Sequence, residues 1–199
     1  MPKHKERNPH IKKIAVTGGP GGGKSTAAEL FKLEYNDFIS LVPEVATLLF
    51  KGGFPRIDSP LILESIQKSI FHVQCNIEDT YATHYADHIL LCDRGSVDGA
   101  AYWPHGPEDF FKTNGTTFEA ELAKYDAVIF FETAAAGGMA IDIGNQVRNE
   151  NKRKAIELDR KLREIWSKHP NFVWIKNESS FLKKIEKGIE SLNQLIFKN

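Results

Sequence analysis

The chain has 199 residues, 41% hydrophobic and 26% charged, the composition of an ordinary folded protein long enough to bury a core as one α/β domain. Twenty-six basic side chains balance twenty-six acidic ones, which argues against a dedicated nucleic-acid binder, a class that carries excess Lys and Arg. Two cysteines without CxxC spacing, a charged start and no apolar run near the ~20 residues of a bilayer span point to a soluble protein of a reducing cytoplasm.

Residues 1–10, MPKHKERNPH, read as a flexible tail, and 11–199 as a single domain. The apolar run Ile14–Val16 predicts a first strand, and Ser25–Lys32 predicts a helix directly after it. Between them lies TGGPGGGKST, residues 17–26. Phe38–Val42 predicts a second strand, followed by VPEVATLLF. Asp58-Ser59-Pro60 then supplies a cap residue and a first-turn proline for a helix with Leu61, Ile66, Ile70, Val73 and Ile77 along one side.

Ile89–Cys92 predicts a third strand and opens ILLCDRGSVDGAAYW; Ala127–Phe131 predicts a fourth. After it comes TAAAGGMAIDIGNQVRNENKRK, rich in Gly and Ala and then basic. Lys152–Lys168 carries Leu158, Leu162, Ile165 and Trp166 on one stripe. Phe172–Ile175 predicts a fifth strand, and a last helix repeats the pattern with Leu182, Ile185, Ile189, Leu192 and Ile196. Each strand is a near-continuous apolar run, as expected of a parallel sheet covered on both faces. Trp103, Trp166 and Trp174 are assigned to the core or to pocket walls, and His84 and His88 to a solvated helix end rather than a metal site.

Right-handed crossovers place ligands beyond the carboxyl ends of such strands, where the conspicuous residues fall. Gly18, Gly23, Lys24 and Ser25 match GxxxxGK[ST] between a strand and a helix, which is the context the motif requires. Gly18, Gly19, Gly21, Gly22 and Gly23 let the chain coil so that backbone N–H groups converge on phosphate, joined by the helix start through Lys24, Ser25 and Thr26. Lys24 can reach the β and γ phosphates and Ser25 can bind Mg²⁺.

Asp93, ending an apolar strand beside this loop, is the second metal-side candidate, and Arg94 can hold a phosphate or anionic substrate. Both also fit a strand-end ion pair. Asp98 fits a substrate contact or a helix cap equally well. Glu44, just past the second strand, can take a proton from an attacking hydroxyl or simply begin a helix. Arg148 and Arg153 suit a loop that closes over a phosphoryl group, with Arg148 the better placed, or an ordinary charged helix start.

The chain resembles the small P-loop ATPase-like domain shared by the nicotinamide riboside kinase region of bacterial NAD regulators and the TRP-like translocation defect proteins of animals. TGGPGGGKST, VPEVATLLF, LCDRGSVDGAAYWP and VRNENKRKAIELDRKLREIW through SKHPNFVWI carry the likeness in order over nearly the whole chain. It implies a nucleoside- and nucleotide-kinase-like fold with strand order 2-3-1-4-5, a substrate-side carboxylate at Glu44 and a lid arginine at Arg148. The chain departs from kinase lids in lacking an R-x-x-x-R-x-R cluster. The expected activity is phosphoryl transfer from ATP, with Mg²⁺, to an unidentified small-molecule hydroxyl such as a nucleoside's. The alternatives are an ATP- or GTP-dependent switch with slow hydrolysis and a protein partner, or an interaction domain with a relic site. No NKxD-like guanine reader is evident, so ATP leads GTP.

Overall fold

The computed structural model describes residues 6–57, 59–137 and 152–197. The strands are β1 (Lys13–Thr17), β2 (Ile39–Val42), β3 (Ile89–Asp93), β4 (Ala127–Phe131) and β5 (Phe172–Ile175). The helices are α1 (Lys24–Glu34), α2 (Val45–Lys51), α3 (Pro60–His84), α4 (Pro107–Thr113), α5 (Phe118–Leu122), α6 (Lys152–Trp166) and α7 (Phe181–Ile196). Two 3-10 turns, Ser96–Ala101 and Ala134–Gly137, follow β3 and β4. The five strands form one parallel sheet in the order β2-β3-β1-β4-β5, the order that the resemblance implies.

The central strands are buried on both faces because their side chains alternate between two apolar layers. Ile14, Val16, Leu91, Ile129 and Phe131 point to one layer with Phe31 of α1 and Ile185, Leu192 and Ile196 of α7. Ala15, Leu90, Cys92, Val128 and Phe130 point to the other, with Phe71 of α3, Phe110 of α4 and Leu162 and Trp166 of α6. Register brings Val16 level with Asp93 on one side and with Ile129 on the other, so the ends of β1, β3 and β4 share one edge. Burial pushes the Cys75 thiol up to about 11 and the Cys92 thiol well above its usual value, which favours the thiol form of both at neutral pH.

Two apolar stripes read from the sequence shift in the folded chain. On α3 the buried face is Ile66, Gln67, Phe71, Gln74 and Glu78, while Leu61 is 73% exposed and Val73 lies at the surface. Polar partners explain the rotation: Gln74 donates to Glu78 at 2.7 Å, and Glu78 also accepts from Tyr125 at 2.8 Å and pairs with Lys13 at 3.2 Å. On α7 the first-turn Leu182 is exposed, and the inward stripe includes Lys184 and Gly188. Trp174, assigned to the core or a pocket wall, lies on the edge strand β5 in the wall of a surface pocket with Lys187 and Gln194, and Arg163 and Lys176 sit over its ring. His88 bonds Ser40 at 2.9 Å, and His84 ends α3 at the surface.

Gly188 is where α7 comes closest to the sheet, since a Cβ there would lie 2.7 Å from Phe131 and 3.2 Å from Phe31. Alanine would add about 1 kcal/mol of helix propensity but overpack the contact at a cost of roughly 1–3 kcal/mol. Gly188→Ala is therefore expected to lower the melting temperature by about 2–4 °C in calorimetry, against the gain that propensity alone would give.

Candidate functional site

The phosphate loop leaves β1 at Thr17 and enters α1 at Lys24. Gly18 has φ 132° and lies against β4, where a Cβ would sit 2.0 Å from the Phe131 carbonyl oxygen, so no side chain fits. Gly23, the residue before α1, has φ 90°, and the ring edge of Phe181 fills its side-chain space. Gly19, Gly21 and Gly22 complete the turn between them. Lys24 is buried, and its ammonium donates to the Gly19 carbonyl at 2.7 Å, folding back over the loop. Ser25 and Thr26 occupy the exposed first turn of α1.

Asp93 ends β3 next to this loop and is buried. The Ser25 hydroxyl lies beside its carboxylate, and Oδ1 is buried with no hydrogen-bond partner. Burial pushes its pKa up, as does Glu44; Ser25, Lys24 and Arg94 act in the opposite direction. A buried orphan carboxylate oxygen beside a helix-start hydroxyl is a hard oxygen donor set that suits Mg²⁺. Ser25 and Asp93 are the residues that would hold that ion.

Arg94 is the one non-glycine residue with positive φ, 74°, among the described residues. The chain turns sharply there, just past the end of β3. Arg94 Nε donates to Glu44 Oε1 at 2.5 Å and Nη1 to Asp98 Oδ2 at 2.7 Å, while Nη2 has no partner. Burial works against the charge, but Tyr102, Glu44 and Asp98 outweigh it and keep the guanidinium protonated. Glu44 is the residue before α2 and also accepts from Thr47 at 2.5 Å, so it begins a helix and joins the charged cluster at once. Asp98 lies in the 3-10 turn and accepts from Thr17 at 2.8 Å and from the Trp166 indole at 2.7 Å, rather than capping a helix.

The structure thus brings Lys24, Ser25, Asp93, Glu44 and Arg94 together at the ends of β1, β2 and β3. Arg148 lies outside the described residues, and Arg153 is exposed on the first turn of α6. A cavity of about 280 Å³ opens beside the charged cluster, with Arg94, Gly95 and Asp98 at one end. Val45, Phe50, Ile66 and Ile70 supply apolar wall, and Gln67 and Gln74 add amides from α3. Neither glutamine stands out in the sequence, because both fall outside the apolar stripe of α3. Their seven-residue spacing, with Phe71 between, was the available sign that they share a face.

Residues 13–181 match the family model described as AAA domain. No curated protein matches the sequence significantly. Among solved structures, deoxyadenosine kinase from M. mycoides with products dCMP and a flexible dCDP bound is similar at a TM-score of 0.64 and 14% identity. That likeness covers 91% of this chain and 98% of the kinase. The same enzyme with bound dATP aligns at a TM-score of 0.57 and 13% identity, over 92% of this chain and 100% of the kinase. NadR in complex with NR aligns at 0.67 and 14% identity over 96% of this chain, which spans only 54% of NadR. At such identities these likenesses establish the fold, that of kinase-like P-loop proteins with a 2-3-1-4-5 sheet. With 13–181 matched and the glycine-rich loop between β1 and α1, the chain belongs to the AAA domain family of P-loop proteins.

Proposed function

We propose that the protein transfers the γ-phosphoryl group of ATP to a hydroxyl of a small nucleoside-like molecule seated in the cavity beside α2 and α3. The observation that carries this reading is the buried Glu44–Arg94–Asp98 cluster, which joins the end of that cavity to the phosphate loop side. A hydrolase or switch needs room only for water at the γ-phosphate. A cavity of about 280 Å³ with apolar walls and two amides is suited to an organic acceptor. The likeness to deoxyadenosine kinase and to NadR with NR supports a nucleoside over other hydroxyl compounds.

In this reading the acceptor oxygen attacks the γ-phosphorus, its new O–P bond forming as the bond to the β-phosphate oxygen breaks and ADP departs. The acceptor's proton passes to Glu44. Lys24 leaves the Gly19 carbonyl to meet the β and γ phosphates, and the unpartnered Nη2 of Arg94 donates to the acceptor or the transferring group. Mg²⁺ held by Ser25 and Asp93 would neutralise phosphate charge. Arg148 is proposed as a further neutralising cation.

Three outcomes follow for the whole chain. Mg·ATP at 100 times its Kd should add about 2.7 kcal/mol of stability, seen as a rise of roughly 5–10 °C in a thermal shift. No rise with Mg·ATP or Mg·GTP would instead mark a relic site. Glu44→Gln should lower kcat by about 10²–10⁴ on a nucleoside identified by phosphate-transfer screening, with little change in the KM for ATP. Unchanged turnover would remove Glu44 from the proton transfer, and tight nucleotide binding without stimulation by any acceptor would favour a switch. Asp93→Asn should act oppositely on stability and binding. The folded chain holds the Asp93 proton more tightly than the unfolded chain, so its ionisation reduces stability as pH rises through the folded pKa. The amide should raise the melting temperature of the ligand-free protein near neutral pH while abolishing the Mg²⁺-dependent part of the ATP shift.

A further inference from the structure

One buried carboxylate near the phosphate loop has no part in the transfer described above. Asp159 sits on the inward stripe of α6, 4% exposed, between Ala155 and Leu162. Its Oδ1 accepts two backbone hydrogen bonds, from Gly19 N–H at 3.0 Å and from Thr133 N–H at 2.7 Å. Burial pushes its pKa up, and these two amides act in the opposite direction. The fit around Gly19 is tight: a Cβ there would lie 2.6 Å from Asp159 Oδ1.

Thr133, just beyond β4, grips the same stretch of loop through its side chain, since Oγ1 donates to the Pro20 carbonyl at 2.6 Å. Thr133 is itself fixed from α7's side, with Asn177 donating to its carbonyl at 2.9 Å and Lys184 donating to the carbonyl of Glu132. Residues 19 and 20 are therefore held from outside the loop, by α6 and by the end of β4. Gly19 is also the residue whose carbonyl receives the Lys24 ammonium. The N–H on one side of its Cα is bound to Asp159, and the C=O on the other side receives the phosphate-binding lysine.

We propose that Asp159 is a positioning residue for the phosphate loop: through the Gly19 amide it sets the shape of residues 19–20 and the resting place of Lys24, and so controls affinity for the triphosphate. This rests on the phosphate-loop part of the function proposed above and is independent of the acceptor. Because it acts through backbone geometry, the effect belongs to the polyphosphate and not to the base. Charge alone predicts the opposite sign, since removing a carboxylate near an anionic ligand strengthens binding.

Calorimetric titration of the full chain with Mg·ATP and with Mg·tripolyphosphate tests this. Asp159→Ala should weaken both ligands by about tenfold, the loss of a buried hydrogen-bonded charged acceptor. Asp159→Asn keeps an acceptor oxygen and should stay within about threefold of wild type. Leu162→Ala, a cavity on the same helix without contact to the loop, should lower the melting temperature yet leave both Kd values within about twofold. Thr133→Val removes the bond to Pro20 and should weaken both ligands several-fold, which carries the test if Asp159→Ala does not fold. Unchanged or tighter binding in Asp159→Ala and Thr133→Val, or an equal loss in Leu162→Ala, overturns the proposal. Failure of the wild-type chain to bind either ligand overturns the nucleotide site itself, a result distinct from wild-type binding with unaffected variants.

Discussion

The Arg94 guanidinium is buried at the end of β3, with Glu44 on one side and Asp98 on the other. Removing one cation and two carboxylates from water costs several kcal/mol per ion unless their charges and hydrogen bonds are matched. The matching draws on distant parts of the chain. Asp98 is shared with Thr17 at the tip of β1 and with Trp166 at the end of α6, and Glu44 with Thr47 on α2. The positive φ of Arg94 is tolerable because these partners over-determine its position. A single ion cluster thereby ties β1, β3, α2 and α6 to one point beside the phosphate loop.

The two faces of the sheet serve different ends around that point. Below it, α1 and α7 close tightly on Val16, Ile129 and Phe131, and the closeness extends to Gly188 and to Phe181 against Gly23. A rigid backing of this kind suits a loop that must present backbone amides in a preset arrangement. On the other face, α2 and α3 stand away from the sheet ends and leave a cavity between apolar walls. The long helix α3 spans both environments, contributing Ile66 and Gln67 to the cavity and Glu78 to a buried network with Lys13 and Tyr125.

Much of the architecture was legible because its causes are local. Ala127–Phe131 and Phe172–Ile175 were bounded as observed, since continuous apolar runs between turn residues have few other uses. The phosphate loop was legible for the same reason, its glycines, lysine and serine being neighbours in the chain. Glu44, Asp93 and Arg94 were legible as candidates by their positions at strand ends, but their pairing was not. Nothing in VPEVATLLF or LCDRGS says that Glu44 and Arg94, fifty residues apart, meet at 2.5 Å. Asp159 was missed because one acid on an apolar stripe looks like an interruption until the amides it serves are brought to it. The α3 stripe was misassigned because periodicity shows that a helix has faces, while the neighbouring elements decide which face is buried.

Taken alone, then, the sequence determined a parallel α/β sheet, a loop shaped for phosphate and a set of charged residues near it. These follow from apolar runs, glycine conformation and side chains adjacent along the chain, which need no distant partner to be read. Tertiary structure decided that Arg94 binds Glu44 and Asp98, that Gln67 and Gln74 face a cavity, and that Asp159 and Thr133 hold Gly19 and Pro20. Each depends on contacts between segments far apart in the chain, where burial makes a paired charge or amide stable and an unpaired one costly.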